Sequence, residues 1–332
     1  MRSMIQFFIL PAIALLALGC DESFNPKEEF QEQYVLQCFV QVYGSGGYPV
    51  SVTAVLARTY DVNGFDPATN TNDPVIAGAE VALTINQKSY YLLGAMRANP
   101  DTSRYRTQQW IYTNTVPHVM PDDAISLTAT LPNGRTLSAQ TAVPSGRNFT
   151  SNYEFAAGLY PRVNRQPGKP NWIISWENYN DLEVHLFFPR LTITYIQLVQ
   201  GSEITGTVTV PSQYASSPSG PIAIYPSVST EEQCLFEFAA IDSAMAHISA
   251  GDSDKVKFGV HSAILEVIEY DLPLSKYFSS INGPLDQFSI RTEESVYSNV
   301  GGGIGILGSS LTHWIEFSFD ERYVRLYGYR FR

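Results

Sequence analysis

The sequence predicts an all-β protein of two modules behind an exported N-terminus. Three observations predict it: an aromatic and β-branched composition, period-two alternation along most of the chain, and turn residues at short intervals. The 332 residues include 20 Tyr and 18 Phe, and 44% of them are hydrophobic against 16% charged. That is too apolar for disorder and long enough for two cores. The net charge of −11 argues against nucleic acid or an anionic membrane surface as partner, because either demands a basic patch.

The first segment is an address. Arg2 is the only charged side chain before Asp21, and "MIQFFILPAIALLALG" between them is apolar throughout, as in a signal peptide with a short basic start. Its sixteen residues span roughly 24 Å as a helix, less than the ~30 Å hydrocarbon core. Gly19 before Cys20 resembles a bacterial lipobox, in which cleavage leaves a diacylglycerol-linked cysteine as the new N-terminus. Ala17 and Leu18 depart from that pattern, which prefers a large aliphatic residue three before the cysteine and a small one two before. Lipidation of Cys20, ordinary cleavage near Gly19 and an uncleaved anchor are the three readings, and lipidation is the one expected. Residues 1–19 are then a lipoprotein signal peptide. Residues 20–33, with "DESFNPKEEFQEQ", are an acidic tether without periodicity.

The first module is expected over residues 34–144. "YVLQCFVQVY" and "PVSVTAVLARTY" open it, and "AEVALTI" alternates Ala79, Val81, Leu83 and Ile85 against Glu80 and Thr84. "ISLTATLPNGRTLSAQTAV" reads as a hairpin about Pro132-Asn133-Gly134, since Asn-Gly between alternating runs tolerates positive φ. Several such strands describe an immunoglobulin-like or transthyretin-like β-sandwich. "VPSGRNFTSN" and "YPRVNRQPGKPN" interrupt the alternation and place a boundary near Pro144. The second module, residues 145–332, resumes with "NWIISW", "LEVHLFFPRLTITYIQLV", "ITGTVTV", "QCLFEFAAI" and "KVKFGVHSAILEVIEY", and closes with "HWIEFSFDERYVRLYGYRF". It is β-rich, with "AAIDSAMAHIS" and "LPLSKYFSSI" as its one or two short helices.

The motif order carries a resemblance. A lipobox cysteine, "SVTAVLARTY", "DPVIAGAEVALT", "LPNGRTLSAQTAVP", "ISW" and "SNVGGGIGILGS" follow one another. The chain resembles a family of Bacteroidota outer-membrane lipoproteins designated domain of unknown function 4249, over nearly all of it beyond the signal peptide. The resemblance implies a lipid-anchored outer-membrane protein, often associated with TonB-dependent transporters, on the periplasmic face or the cell surface. It supplies no catalytic residue to carry over. Asp21 after the cysteine reads two ways, as inner-membrane retention by the enterobacterial rule or as a surface-export signal in Bacteroidota.

Motifs that would carry chemistry are sparse. Gly303, Gly305 and Gly308 satisfy G-x-G-x-x-G, but "SSLTHWIEFSF" continues as strand where a dinucleotide site needs a helix. Close backbone approach explains these glycines better, and no cofactor is expected. His118, His185, His247, His261 and His313 show no zinc spacing, so no metal is expected there. The loop from Asp61 to Asp73 and the pair Asp252 and Asp254 could hold calcium, although exposed turns select the same residues. Asp122-Asp123 and Glu231-Glu232 are adjacent, so as strand residues they point to opposite faces and read as solvated acids. No nucleophile elbow occurs, and no catalytic residue is assigned.

Trp172 and Trp176 share a strand face and are a candidate platform for a sugar or apolar ligand. Such a face is more often core. Trp110 and Trp314 carry no further signal. Cys38 and Cys234 lie on apolar faces and read as core thiols in preference to a disulfide. The functional expectation is a non-enzymatic binding or accessory module, partnered by the membrane through its lipid and by a TonB-dependent transporter or an extracellular ligand. A surface hydrolase on the same scaffold and a purely structural or adhesive lipoprotein are the alternatives.

Overall fold

The computed structural model describes residues 31–44, 46–59, 75–98, 108–151, 162–163, 168–177, 183–282 and 297–331. The described chain is mostly β, with 58% strand against 12% helix, in keeping with the all-β expectation. Seven strands come first: β1 (Tyr34–Tyr43), β2 (Val50–Arg58), β3 (Glu80–Ile85), β4 (Lys88–Ala98), β5 (Gln108–Val116), β6 (Ala124–Thr130) and β7 (Thr136–Ala142). There follow β8 (Asn148–Ser151), β9 (Arg162–Val163), β10 (Asn171–Glu177), β11 (Leu186–Val199), β12 (Ser202–Val210), β13 (Gln213–Ala215), β14 (Ile222–Ile224) and β15 (Gln233–Glu237). Helix α1 (Phe238–His247), β16 (Phe258–Tyr270), α2 (Leu272–Asn282), β17 (Val300–Gly301), β18 (Ile304–Phe319), α3 (Glu321–Arg325) and β19 (Arg330–Phe331) complete it. Both expected helices form, and α3 is a third, begun by Asp320, whose carboxylate accepts from the Arg322 N–H.

One hydrogen-bonded path runs β12-β11-β16-β18-β1-β2-β5-β4-β3-β6-β7-β17. β4 turns it into a sandwich, because Lys88–Leu92 pairs with β3 and Leu93–Ala98 pairs with β5. The layer β4-β3-β6-β7-β17 thereby folds over the layer that contains β1, β2 and β5. Alternation along β1 sends Leu36, Cys38, Val40 and Val42 into the resulting core, with Val52, Leu83, Tyr112 and Leu127 facing them. The Tyr112 hydroxyl donates to the Ile76 carbonyl at 2.8 Å and accepts from the Ala79 N–H at 3.0 Å, fixing the approach to β3.

The turns between strands follow from backbone sign. Asn86 (φ 46°) and Gln87 (φ 70°) close β3 onto β4, and Gln200 (φ 52°) and Gly201 (φ 85°) close β11 onto β12. Two consecutive positive φ values are what the right-handed strand twist asks of a two-residue hairpin. At Pro132-Asn133-Gly134 only Gly134 is left-handed (φ 83°), so this longer turn works through one glycine where the sequence suggested two residues.

β1 does what alternation alone did not reveal. It lies between β2, antiparallel, and β18, parallel, with Val35 beside Ile304 and Tyr43 beside Thr312 at the two ends of that register. β18 is 16 residues long. Its Leu307 and Leu311 belong to the first core, whereas Phe317 and Phe319 belong to a second core with Trp172, Trp176, Leu191, Phe236, Phe258 and Leu265. That second core lies between β11, β16 and β18 and the small sheet β15-β10-β8. α1 and α3 supply Ile241, Met245 and Val324 to it.

Candidate functional site

Beyond β7 the chain passes through Val143, Pro144, Ser145 and Gly146 to Arg147, the linker in which the sequence suggested a boundary. The Arg147 side chain is 1% exposed. Its Nε donates to both oxygens of Glu269 at 3.1 and 3.0 Å, Nη2 donates to Oε1 at 2.5 Å, and Nη1 donates to Glu232 at 3.1 Å. The guanidinium also lies 5.2 Å from the Phe187 ring centroid. A planar cation that makes a bidentate grip and stacks on an aromatic is the arginine pattern that lysine does not reproduce.

Glu269 is fully buried on β16. His313 Nε2, from the adjacent β18, sits 3.0 Å from Oε2, and His185 Nδ1 lies 3.6 Å from Oε1 while facing the Tyr270 carbonyl at 2.8 Å. Burial pushes the Glu269 carboxyl up. Hydrogen bonds from His313 and Arg147, together with the attraction of both, overcome burial and hold it below the usual carboxylate range. The site is therefore a charged node where the linker, β16 and β18 meet.

Two residues along from Glu269, Asp271 ties a different set together. Its Oδ1 accepts the Leu274 N–H at 2.8 Å and so begins α2, the N-cap role this residue type serves best. Its Oδ2 accepts the Thr141 hydroxyl from β7 and the Ser309 N–H from β18, each at 2.5 Å, and lies 3.0 Å from the Ser309 hydroxyl. Burial still leaves this carboxyl above its ordinary range.

Asp271 borders a cleft of about 400 Å³ between the end of β7, the linker, the start of β11 and the start of α2. Asp122, Thr141, Ser145, Glu183 and His185 line it too. Ser145 donates its hydroxyl to Asp122 at 2.5 Å, and Asp122 itself holds a left-handed φ of 66°. Such a wall offers acceptors, and it suits a ligand that brings hydroxyl or ammonium donors.

The residues singled out in the sequence are distributed elsewhere. Cys20 lies outside the described residues, as does the loop from Asp61 to Asp73. Trp172 and Trp176 form no platform: they are 2% and 0% exposed. β10 turns both indoles into the second core, Trp172 against Phe317 at 4.7 Å and Trp176 against Phe187 at 5.7 Å. "GIGILG" is the start of β18, and the residues after it continue as strand. A Cβ on Gly305 (φ 126°) would stand 2.0 Å from the Leu36 carbonyl oxygen, and one on Gly308 would stand 2.2 Å from Leu274.

Cys38 and Cys234 are free, buried thiols in separate cores. Asp252 accepts the Asp254 N–H at 2.9 Å in a local turn, and Lys257 approaches both carboxylates. Glu232 is more than a solvated acid, since it shares Arg147 with Glu269. Among the described residues no group of three or more His, Cys, Asp or Glu is placed to hold a metal, and no helix is long and apolar enough to cross a membrane.

The node left one trace in the sequence. Ala263, Leu265 and Val267 define the apolar phase of β16, and Glu269 continues that phase. A carboxylate in the apolar phase of a strand requires buried hydrogen-bond or charged partners, and Arg147, the partner here, lies in a linker where alternation gives no clue. No protein-family model matches the chain, and no curated protein matches it.

Proposed function

We propose that the chain is an outer-membrane lipoprotein, anchored through Cys20, that works as a non-enzymatic binding or accessory module beside a TonB-dependent transporter or an extracellular ligand. The order of motifs, which resembles that of Bacteroidota lipoproteins, and the apolar run before Cys20 support the anchor. The observation that carries the reading furthest is where the tether enters the fold. It gives way at Tyr34 to β1, the strand bonded to β2 on one side and to β18 on the other. An N-terminal lipid would thus hold the protein by an interior strand of its largest sheet.

We read the cleft as a place for a ligand. Its hydroxyls serve as fasteners, Ser145 on Asp122 and Thr141 on Asp271, the carboxylate that also caps α2. The test compares wild type with Cys20→Ala in cells given a labelled fatty acid, followed by cross-linking in native membranes. The expected result is label and membrane retention in wild type only, with a transporter-sized cross-linked partner. Equal labelling of the variant overturns the anchor. Turnover of ester, peptide or glycoside substrates that one Ser, His, Asp or Glu substitution abolishes, with the fold intact, overturns the binding reading.

A further inference from the structure

The sheet face opposite the two cores carries an aromatic strip across the β1–β18 junction. Alternation along β1 turns Phe39, Gln41 and Tyr43 outward. The parallel register puts Tyr43 beside Thr312, and Trp314 is the next outward residue of β18. Trp314 is 55% exposed, Tyr43 50% and Phe39 46%, which is unusual exposure for three large aromatics on one face. The Trp314 indole lies along the end of β1, so close that a Cβ on Gly44 would stand 3.0 Å from its Nε1.

Polar groups are interleaved with these rings. Gln41 Nε2 reaches the Thr312 hydroxyl at 3.5 Å. Glu266 of β16 is the register partner of Trp314, and Arg190 of β11 pairs with Glu266. α2 packs Leu274 over Gly308, the register partner of Phe39, and so stands as a wall beside the strip.

We infer that this strip binds a neutral, extended oligosaccharide. A pyranose ring offers a face of C–H bonds and a rim of hydroxyls. Exposed aromatic rings match the face, and the amide, carboxylate and guanidinium groups beside them on the same sheet face match the rim. Arg190 neutralises Glu266, while Glu316, the next outward residue of β18 after Trp314, stands 3.9 Å from His261, so the charges beside the strip offer an anionic ligand no unpaired cation. Phe39 and Tyr43 are four strand residues apart, about 13 Å, the reach of a short oligosaccharide and more than a monosaccharide. This deepens the extracellular-ligand branch of the proposed function by naming a ligand class, and it stands independently of the lipid on Cys20.

The experiment titrates the full chain as isolated from membranes in detergent with cellohexaose, xylohexaose and mannohexaose by calorimetry, beside Trp314→Ala and Tyr43→Ala. Thermal unfolding of each variant reports the fold. The expected result is saturable binding of at least one hexasaccharide, weakened about tenfold or more by each variant with the unfolding temperature nearly unchanged, and indifferent to added salt. A variant that loses stability is replaced by Gln41→Ala, which keeps every ring and should weaken binding also. Absence of binding to all three sugars overturns the inference. So does binding that none of the stable variants alters, or loss of a cross-linked protein partner from Trp314→Ala when sugar binding is absent. Cross-linking of the Cys20-anchored protein to a transporter is read separately, so failure here leaves the anchor reading standing.

Discussion

Arg147 and Glu269 stand 122 residues apart in sequence and meet as a buried bidentate ion pair, one from the linker after the first seven strands and the other from the end of β16, beside Leu311 of β18. The pair couples the linker to β16 at a point where neither charge has access to bulk water. Replacing Arg147 by Ala leaves Glu269 buried without its main cation, and the expected loss is about 3–5 kcal/mol of folding stability. Arg147→Ala with Glu269→Leu should cost less than the sum of the two single changes, since no uncompensated carboxylate remains. Denaturant unfolding of the three variants measures the coupling, and strict additivity would refute it.

The pH dependence follows from the same carboxyl. Glu269 is held below its ordinary value of 4.5, so the folded state binds its proton less readily than the unfolded chain does. The stability it contributes is fully present above about pH 4.5 and is lost as pH falls further toward the lowered folded value. Asp271 acts in the opposite sense, because its raised carboxyl favours folding most at acid pH and less as pH climbs from 3.8. Unfolding free energies measured from pH 3 to 7 should show a shallower acid-side fall in Glu269→Gln than in wild type. Parallel curves for the two proteins would count against this account.

The strands were legible because each buries one face, so Val81, Leu83 and Ile85 or Leu36, Cys38 and Val40 declare themselves by alternation. What joins them was not. The pairing of β1 with β18 brings together residues about 270 positions apart, as in the bond between Gln41 and Thr312 at a separation of 271, and nothing local encodes a parallel partner. The aromatic signal failed for a related reason. Trp172 and Trp176 alternate as an exposed ladder would, yet a second sheet covers them, while Trp314, in a stretch that alternates no differently, is left uncovered. Period two identifies a shared face and leaves open which face another layer will cover.

Gly305 gives a sharp test of the reading of "GIGILG". Its φ is 126°, and an added Cβ would stand only 2.0 Å from the Leu36 carbonyl oxygen, which leaves no room for a side chain. Gly305→Ala must either shift β1 away from β18 or change the backbone angle, and both act on the strand that joins the cores. A loss of more than about 2 kcal/mol is expected, seen as a lowered unfolding midpoint. An alanine variant as stable as wild type would show that the glycine is dispensable to the fold.

The two buried cysteines make the last prediction. Cys38 is fully enclosed, and burial pushes its thiol up to about 12, while the Cys234 thiol is raised as well. Only the thiolate attacks a disulfide reagent or an oxidant, so at pH 8 neither residue should react in the folded protein. Their placement in separate cores removes the route to a bond between them. Unfolding the full-length mature protein in guanidinium should then release two reactive thiols, because a lipidated Cys20 would carry its sulfur as a thioether. Rapid reaction in the native state would show that a core opens readily, and no reaction after unfolding without reductant would reveal a disulfide. A third thiol on unfolding would show that Cys20 is free, and with it the lipid anchor would fall.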